Sequence, residues 1–111
     1  MVTAEQHYDR GVDLFAEGKY DDAIAAYDAA LALDPGFVDA LHGLAMAHAE
    51  RGDLEAAIAA AKRITEASAD DPLGYTSLSM FYQRAGKIAE AEAAANQARV
   101  LEWKRELTKR P

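Results

Sequence analysis

Apolar residues recur at helical spacing along the chain, in runs separated by short polar breaks. Ile24, Tyr27, Ala30 and Leu31 mark one run, and Leu41, Leu44, Ala45 and His48 another. Tyr75, Leu78, Ser79 and Tyr82 mark a third. A period near 3.6 predicts amphipathic helices. The breaks place them at about residues 3–17, 20–33, 37–51, 54–67, 73–85 and 88–109. Thr3 with Gln6 has the spacing of a capping box and starts the first helix. Asp34-Pro35-Gly36 and Asp70-Asp71-Pro72 are turns, because proline cannot continue a helix. No glycine or proline interrupts residues 88–109, which predicts a long last helix of roughly 33 Å at 1.5 Å per residue. Glu102 with Arg105, and Glu106 with Arg110, are spaced to pair along it.

The breaks themselves repeat. Gly18, Gly52 and Gly86 stand 34 residues apart, as do Ala23, Ala57 and Ala91, and Ala30, Ile64 and Ala98. Self-similarity at this period marks a stacked array of helical hairpins. The 111 residues form one expected domain with units at 4–37, 38–71 and 72–105 and a helical extension to about 109.

These units resemble the tetratricopeptide repeat (TPR) family, whose 34-residue unit reads W-x2-L-G-x2-Y, A-x3-F, A, P. The large first position is held by His7, Leu41 and Tyr75, and the Leu position by Arg10, Leu44 and Leu78. The small position is Gly11, Ala45 and Ser79, and the Tyr position is Leu14, His48 and Tyr82. The second-helix alanine is Ala23, Ala57 and Ala91, followed by Tyr27, Ala61 and Ala95 at the aromatic position. Only Pro35 meets the closing proline; Ala69 stands there in the second unit. The resemblance implies an all-α, right-handed superhelical stack of three helix-turn-helix units ending in an extended or capping C-terminal helix.

The third unit reads as an end. Ile24 and Ile58 are matched by Glu92, and Leu31 by Arg99, so charge replaces apolar surface where a fourth unit would dock. Val100, Trp103 and Leu107 follow at helical spacing on the opposite side from Ala91, Ala95 and Ala98. A straight last helix exposes them as an apolar patch; a bend near Arg99 folds them back as a cap.

Charge narrows the class of partner. The net charge is −7, with 15 acids against 5 bases in residues 1–83 and 4 against 7 in residues 84–111. The acidic bulk argues against nucleic-acid binding, and no apolar run approaches membrane-spanning length. The absence of cysteine fits a reducing, cytoplasmic setting. The first residues, Met1-Val2-Thr3-Ala4-Glu5, lack the basic and apolar regions of a signal peptide.

Catalytic chemistry finds no foothold. No metalloprotease, P-loop, dinucleotide or nucleophile-elbow motif occurs. His7 and His48 fall at core positions of the resemblance and are expected as satisfied packing. His42 and His48, six apart, point to different sides of one helix and do not suit a shared metal. Glu5, Asp9 and Asp13 stack on one helix face, the usual pattern of a solvated surface. The expectation is a protein that is not an enzyme and has no catalytic residues, no bound metal and no cofactor.

Binding is then assigned through the resemblance, which places the first helix of each unit on a concave face. Glu5, Tyr8, Val12 and Phe15 occupy it in unit one, Asp39, His42, Met46 and Ala49 in unit two, and Leu73, Thr76, Met80 and Gln83 in unit three. Val12, Met46 and Met80 are in register, giving an apolar seam with acidic margins suited to a protein or peptide bearing basic residues. The same positions also suit plain packing between neighbouring first helices. The carboxylate clamp of chaperone-binding relatives is not matched, because its places hold Tyr8, Val12, Gly43, Leu73 and Ser77. The leading expectation is a protein-interaction adaptor. The alternative is a self-associating scaffold, through Val100, Trp103 and Leu107 or by head-to-tail stacking.

Overall fold

Six helices account for nearly all of residues 1–109, which the structure, a computed structural model, describes. They are α1 (Ala4–Ala16), α2 (Tyr20–Leu33), α3 (Val38–Glu50), α4 (Leu54–Ala67), α5 (Leu73–Arg84) and α6 (Ile88–Lys109). Each falls within two residues of its expected span. Among the described residues there is no strand.

Local chemistry sets the ends. The Gln6 amide donates to Thr3 Oγ1 at 3.1 Å while the Thr3 amide donates to Gln6 Oε1 at 2.8 Å, so the expected capping box closes on α1. Asp53 Oδ1 accepts from the Ala56 amide at 3.1 Å and starts α4. The repeated glycines follow the first helix of each unit with φ of 76° at Gly18, 85° at Gly52 and 77° at Gly86. Side chains rarely adopt that conformation. It lets the next amide reach back five residues: Lys19 to the Leu14 carbonyl, Asp53 to His48, Lys87 to Tyr82, at 2.8–2.9 Å. The 34-residue beat is therefore a repeated helix stop.

Each helix packs on the next, and the stack is a right-handed superhelix of three hairpins. Its thin dimension, 20 Å, equals two helix diameters: the first helices form one layer and the second helices the other. Ala23 and Ala57, at the repeated position, are wholly buried, where the lack of a long side chain lets paired helices approach closely.

The junctions between units are solved in two ways. Tyr27 of α2 lies between α1 and α3, so tightly that a methyl on Gly11 would stand 2.6 Å from its ring and one on Gly43 2.5 Å. One unit later the aromatic is Ala61, and the flanking positions carry Cβ atoms, Ala45 and Ser77. All three are buried, and α5 also carries Phe81, which is completely enclosed. One junction is glycine-tyrosine-glycine and the next alanine-alanine-serine.

The last helix is continuous. With 22 residues it outruns the 12 of α5. Leu101 is buried, while Val100, Trp103 and Leu107 are 42%, 65% and 44% exposed, as a straight helix requires. No capping fold-back forms at Arg99. Arg105 stands 3.7 Å from Asp71 at the turn before α5, so it is directed across the fold and not along its own helix to Glu102. The expected partner of Glu106, Arg110, lies outside the described residues. Glu92 and Arg99 are exposed on the open edge of the third unit.

Candidate peptide-binding face

The face expected to bind is carried by α1, α3 and α5, the first helix of each unit. Val12 and Met80 are 41% and 39% exposed, and Met46 between them is half-buried. Each sits on a rigid helix, so the three side chains are presented at fixed intervals.

Aromatic contacts hold one end of this row. Tyr8 lies with its ring centroid 5.2 Å from Phe37 and 5.9 Å from Tyr27, and Phe15 meets Tyr20 edge-on at 5.2 Å. Tyr8 and Phe15 are half-buried, so they combine packing with surface. Burial, then the charges of Asp39 and Asp9, raise the Tyr8 phenol above its ordinary pKa of 10.0. Burial likewise raises that of Tyr27, with Tyr8 adding to it. The charge of Asp39 thus reaches the aromatic end of the row, while Glu5 and Asp39 themselves are exposed.

This coupling sets an alkaline limit. Folded Tyr8 and Tyr27 hold their protons above the ordinary pKa of 10.0, where an unfolded tyrosine has lost its own. Their contribution is complete below pH 10 and is lost as the pH rises through the folded values. Melting temperatures should therefore decline more steeply as the pH rises above 10.0 in the parent than in Tyr27→Phe, which has no phenol there. Equal slopes would refute the linkage.

The remaining expected residues divide by depth. His42 is half-buried, and Thr76 and Gln83 are exposed beside Met80. The Thr76 hydroxyl donates to the Pro72 carbonyl at 3.0 Å. Ala49 is 1% exposed and offers no surface. Arg84 of α5, in the third unit, reaches this end of α3 and donates to the Ala49 carbonyl at 3.4 Å. Gln83, at the equivalent place in unit three, is exposed, with no fourth hairpin after α6 among the described residues. Thr76, Met80 and Gln83 also line a groove of about 310 Å³ at this open edge, with Ala95 and Arg99 on its other wall.

The histidines differ from expectation. Nδ1 of His48 and Nδ1 of His42 are buried without a hydrogen-bond partner, so His48 is packed but not satisfied. Among the described residues no group of three or more His, Cys, Asp or Glu stands close enough to hold a metal ion. No helix there is long and apolar enough to cross a membrane. Two carboxylate-clamp places are interior: Gly43 lies against Tyr27, and Ser77 is buried. Sequence reasoning missed the Arg84 tie and the enclosure of Phe81. The equivalent Ala47 of α3, also buried, carried the only signal for the latter.

Comparison with known proteins agrees with this architecture. A tetratricopeptide repeat family model matches residues 14–80. No curated protein matches the chain. Among solved structures, a crystal structure of MamA superposes with a TM-score of 0.89 at 26% identity, over 95% of this chain and 61% of that one. The second TPR of Spaghetti (RPAP3), bound to the HSP90 peptide SRMEEVD, gives 0.81 at 24% identity, over 89% of this chain and 92% of that one. The type III secretion translocator chaperone SycD of Yersinia enterocolitica gives 0.82 at 24% identity, over 96% and 84%. The chain thus spans about three-fifths of the MamA chain it resembles.

Proposed function

Since the chain belongs to the tetratricopeptide repeat family, we propose that it is a protein-interaction adaptor whose concave face binds a peptide or protein segment bearing basic residues. The observation that carries this reading is the row of Val12, Met46 and Met80, one per unit, with accessible surface and the Asp39 charge at one end. An apolar seam gives affinity without fixing one sequence, because unbranched methionines adapt to varied side chains. Acidic margins attract basic residues and repel acidic ones. Peptide binding by the RPAP3 neighbour supports the use of this fold for short peptide segments. Its ligand is acidic, however, and this chain offers no clamp for it. Substrate turnover and cofactors have no part in this reading, and its setting is cytoplasmic.

The test is a peptide array, followed by titration calorimetry on the best ligands. Basic-apolar peptides should bind, and SRMEEVD should not. Met46→Glu should weaken binding by about tenfold or more, since it sets a charge in the seam. Trp103→Glu, far along α6, should leave affinity unchanged. Preference for acidic peptides, or full affinity in Met46→Glu, would sink the reading.

A further inference from the structure

One surface remains outside the adaptor reading. The buried residues of α6 are Ala91, Ala94, Ala98 and Leu101. On the opposite side stand Ala89, Ala93, Asn96, Val100, Trp103 and Leu107, all exposed. Their steps are four, three, four, three and four residues, the a and d spacing of a coiled-coil seam. A single helix face of this kind wants a partner helix. The step pattern runs over most of α6, so it is not an accident of Trp103 alone.

The flanking charges select the partner and its direction. Arg99 and Glu106 lie along one side of the seam, and Gln97 and Lys104 along the other, all exposed. Two parallel copies would bring Arg99 against Lys104, like against like. In the antiparallel arrangement each flank meets its own kind, so Arg99 faces Glu106 and Gln97 faces Lys104. Two-fold symmetry makes each contact twice.

We propose that α6 is a dimerisation helix that pairs antiparallel with α6 of a second copy of this chain. Val100 packs against Trp103 of the second copy, and Leu107 against its Asn96, whose side-chain oxygen accepts from Arg99 of the same helix; Ala89 and Ala93 lie beyond this overlap. The crossing centres on the part of α6 that outruns α5, which gives the two bodies room. It also joins the chains through the end where bases outnumber acids, 7 to 4, and holds apart the acidic bodies, 15 to 5. The concave faces stay open, so each dimer would present two binding seams to a bivalent partner.

Sedimentation velocity tests this over about a hundredfold range of concentration around the micromolar Kd typical of a small interface. A dimer is expected, and it should persist at high salt because its centre is apolar. Trp103→Glu should abolish it, as should Val100→Lys, with helicity by circular dichroism unchanged because both residues are exposed. Arg99→Glu and Glu106→Arg should each raise Kd by about tenfold, through two symmetry-related pairs turned from attraction to repulsion. The double exchange should restore the parent Kd. A monomer throughout, a dimer indifferent to Trp103→Glu, or a double exchange no better than either single one would overturn the proposal.

Discussion

Tyr27→Ala should lower the unfolding free energy by about 3–5 kcal/mol, the range for emptying a buried aromatic site. The loss is at the upper end of ordinary substitutions because Tyr27 has no substitute nearby. Its ring fills the space between α1 and α3, where Gly11 and Gly43 supply no side chains. Removing the ring leaves a void bounded by two glycines, and rigid helices cannot close on it. The second junction provides the remedy in the same chain: around Ala61 the flanks are Ala45 and Ser77. Adding Gly11→Ala and Gly43→Ser to Tyr27→Ala should therefore recover about 1–2 kcal/mol of the loss. In the parent background the same two changes should destabilise, since their Cβ atoms would stand 2.6 Å and 2.5 Å from the ring. Urea denaturation of the four proteins measures the sign reversal. If the glycine changes cost the same with and without the ring, the compensation does not exist.

This trade-off also marks the limit of what was legible in the sequence. The helices followed from local signals: Thr3 with Gln6, the repeated glycines, the Asp34-Pro35-Gly36 turn. Each acts within a few residues, so one chain suffices to read it. The depth of Ala49 did not follow. Its position matched Phe15 and Gln83, yet only Ala49 is enclosed, at the end of α3 that the Arg84 side chain of the next unit reaches. Periodicity tells which face of a helix a residue occupies, whereas burial depends on what the next unit lays across that face. The in-register spacing of Val12, Met46 and Met80 was legible, and their unequal exposure was not. Likewise Trp103 could be placed on the outer side of α6 from spacing alone. Whether the helix ran straight depended on long-range partners, Leu101 in the core and Arg105 beside Asp71.

Phe81→Ala should cost about as much as Tyr27→Ala, 3–5 kcal/mol, yet the damage should fall elsewhere. Position 81 is graded along the array: Asp13 is exposed in the first unit, Ala47 is buried in the second, and Phe81 is the largest wholly buried side chain in the third. Stability in a repeat array is approximately a sum of unit terms and neighbour terms. Phe81 is the largest wholly buried side chain of α5, so it is expected to carry much of the last neighbour term. Its loss should release α5 and α6 from α4 while α1 to α3 keep their own junction around Tyr27. Hydrogen exchange should then show amides of α5 and α6 losing protection first, with those of α1 to α3 close to parent values. A uniform loss along the chain would instead mean that three units behave as one cooperative block. The functional consequence separates the two surfaces. Releasing α5 removes Thr76, Met80 and Gln83 from the seam, so affinity for the peptide should fall although no seam residue has been changed. The dimer depends on α6 as a formed helix, anchored by Ala91, Ala94, Ala98 and Leu101. It should weaken in step with protection of α6, whereas Met46→Glu should spare it. A single buried ring that touches neither surface thus governs both, because it fixes the unit on which they meet.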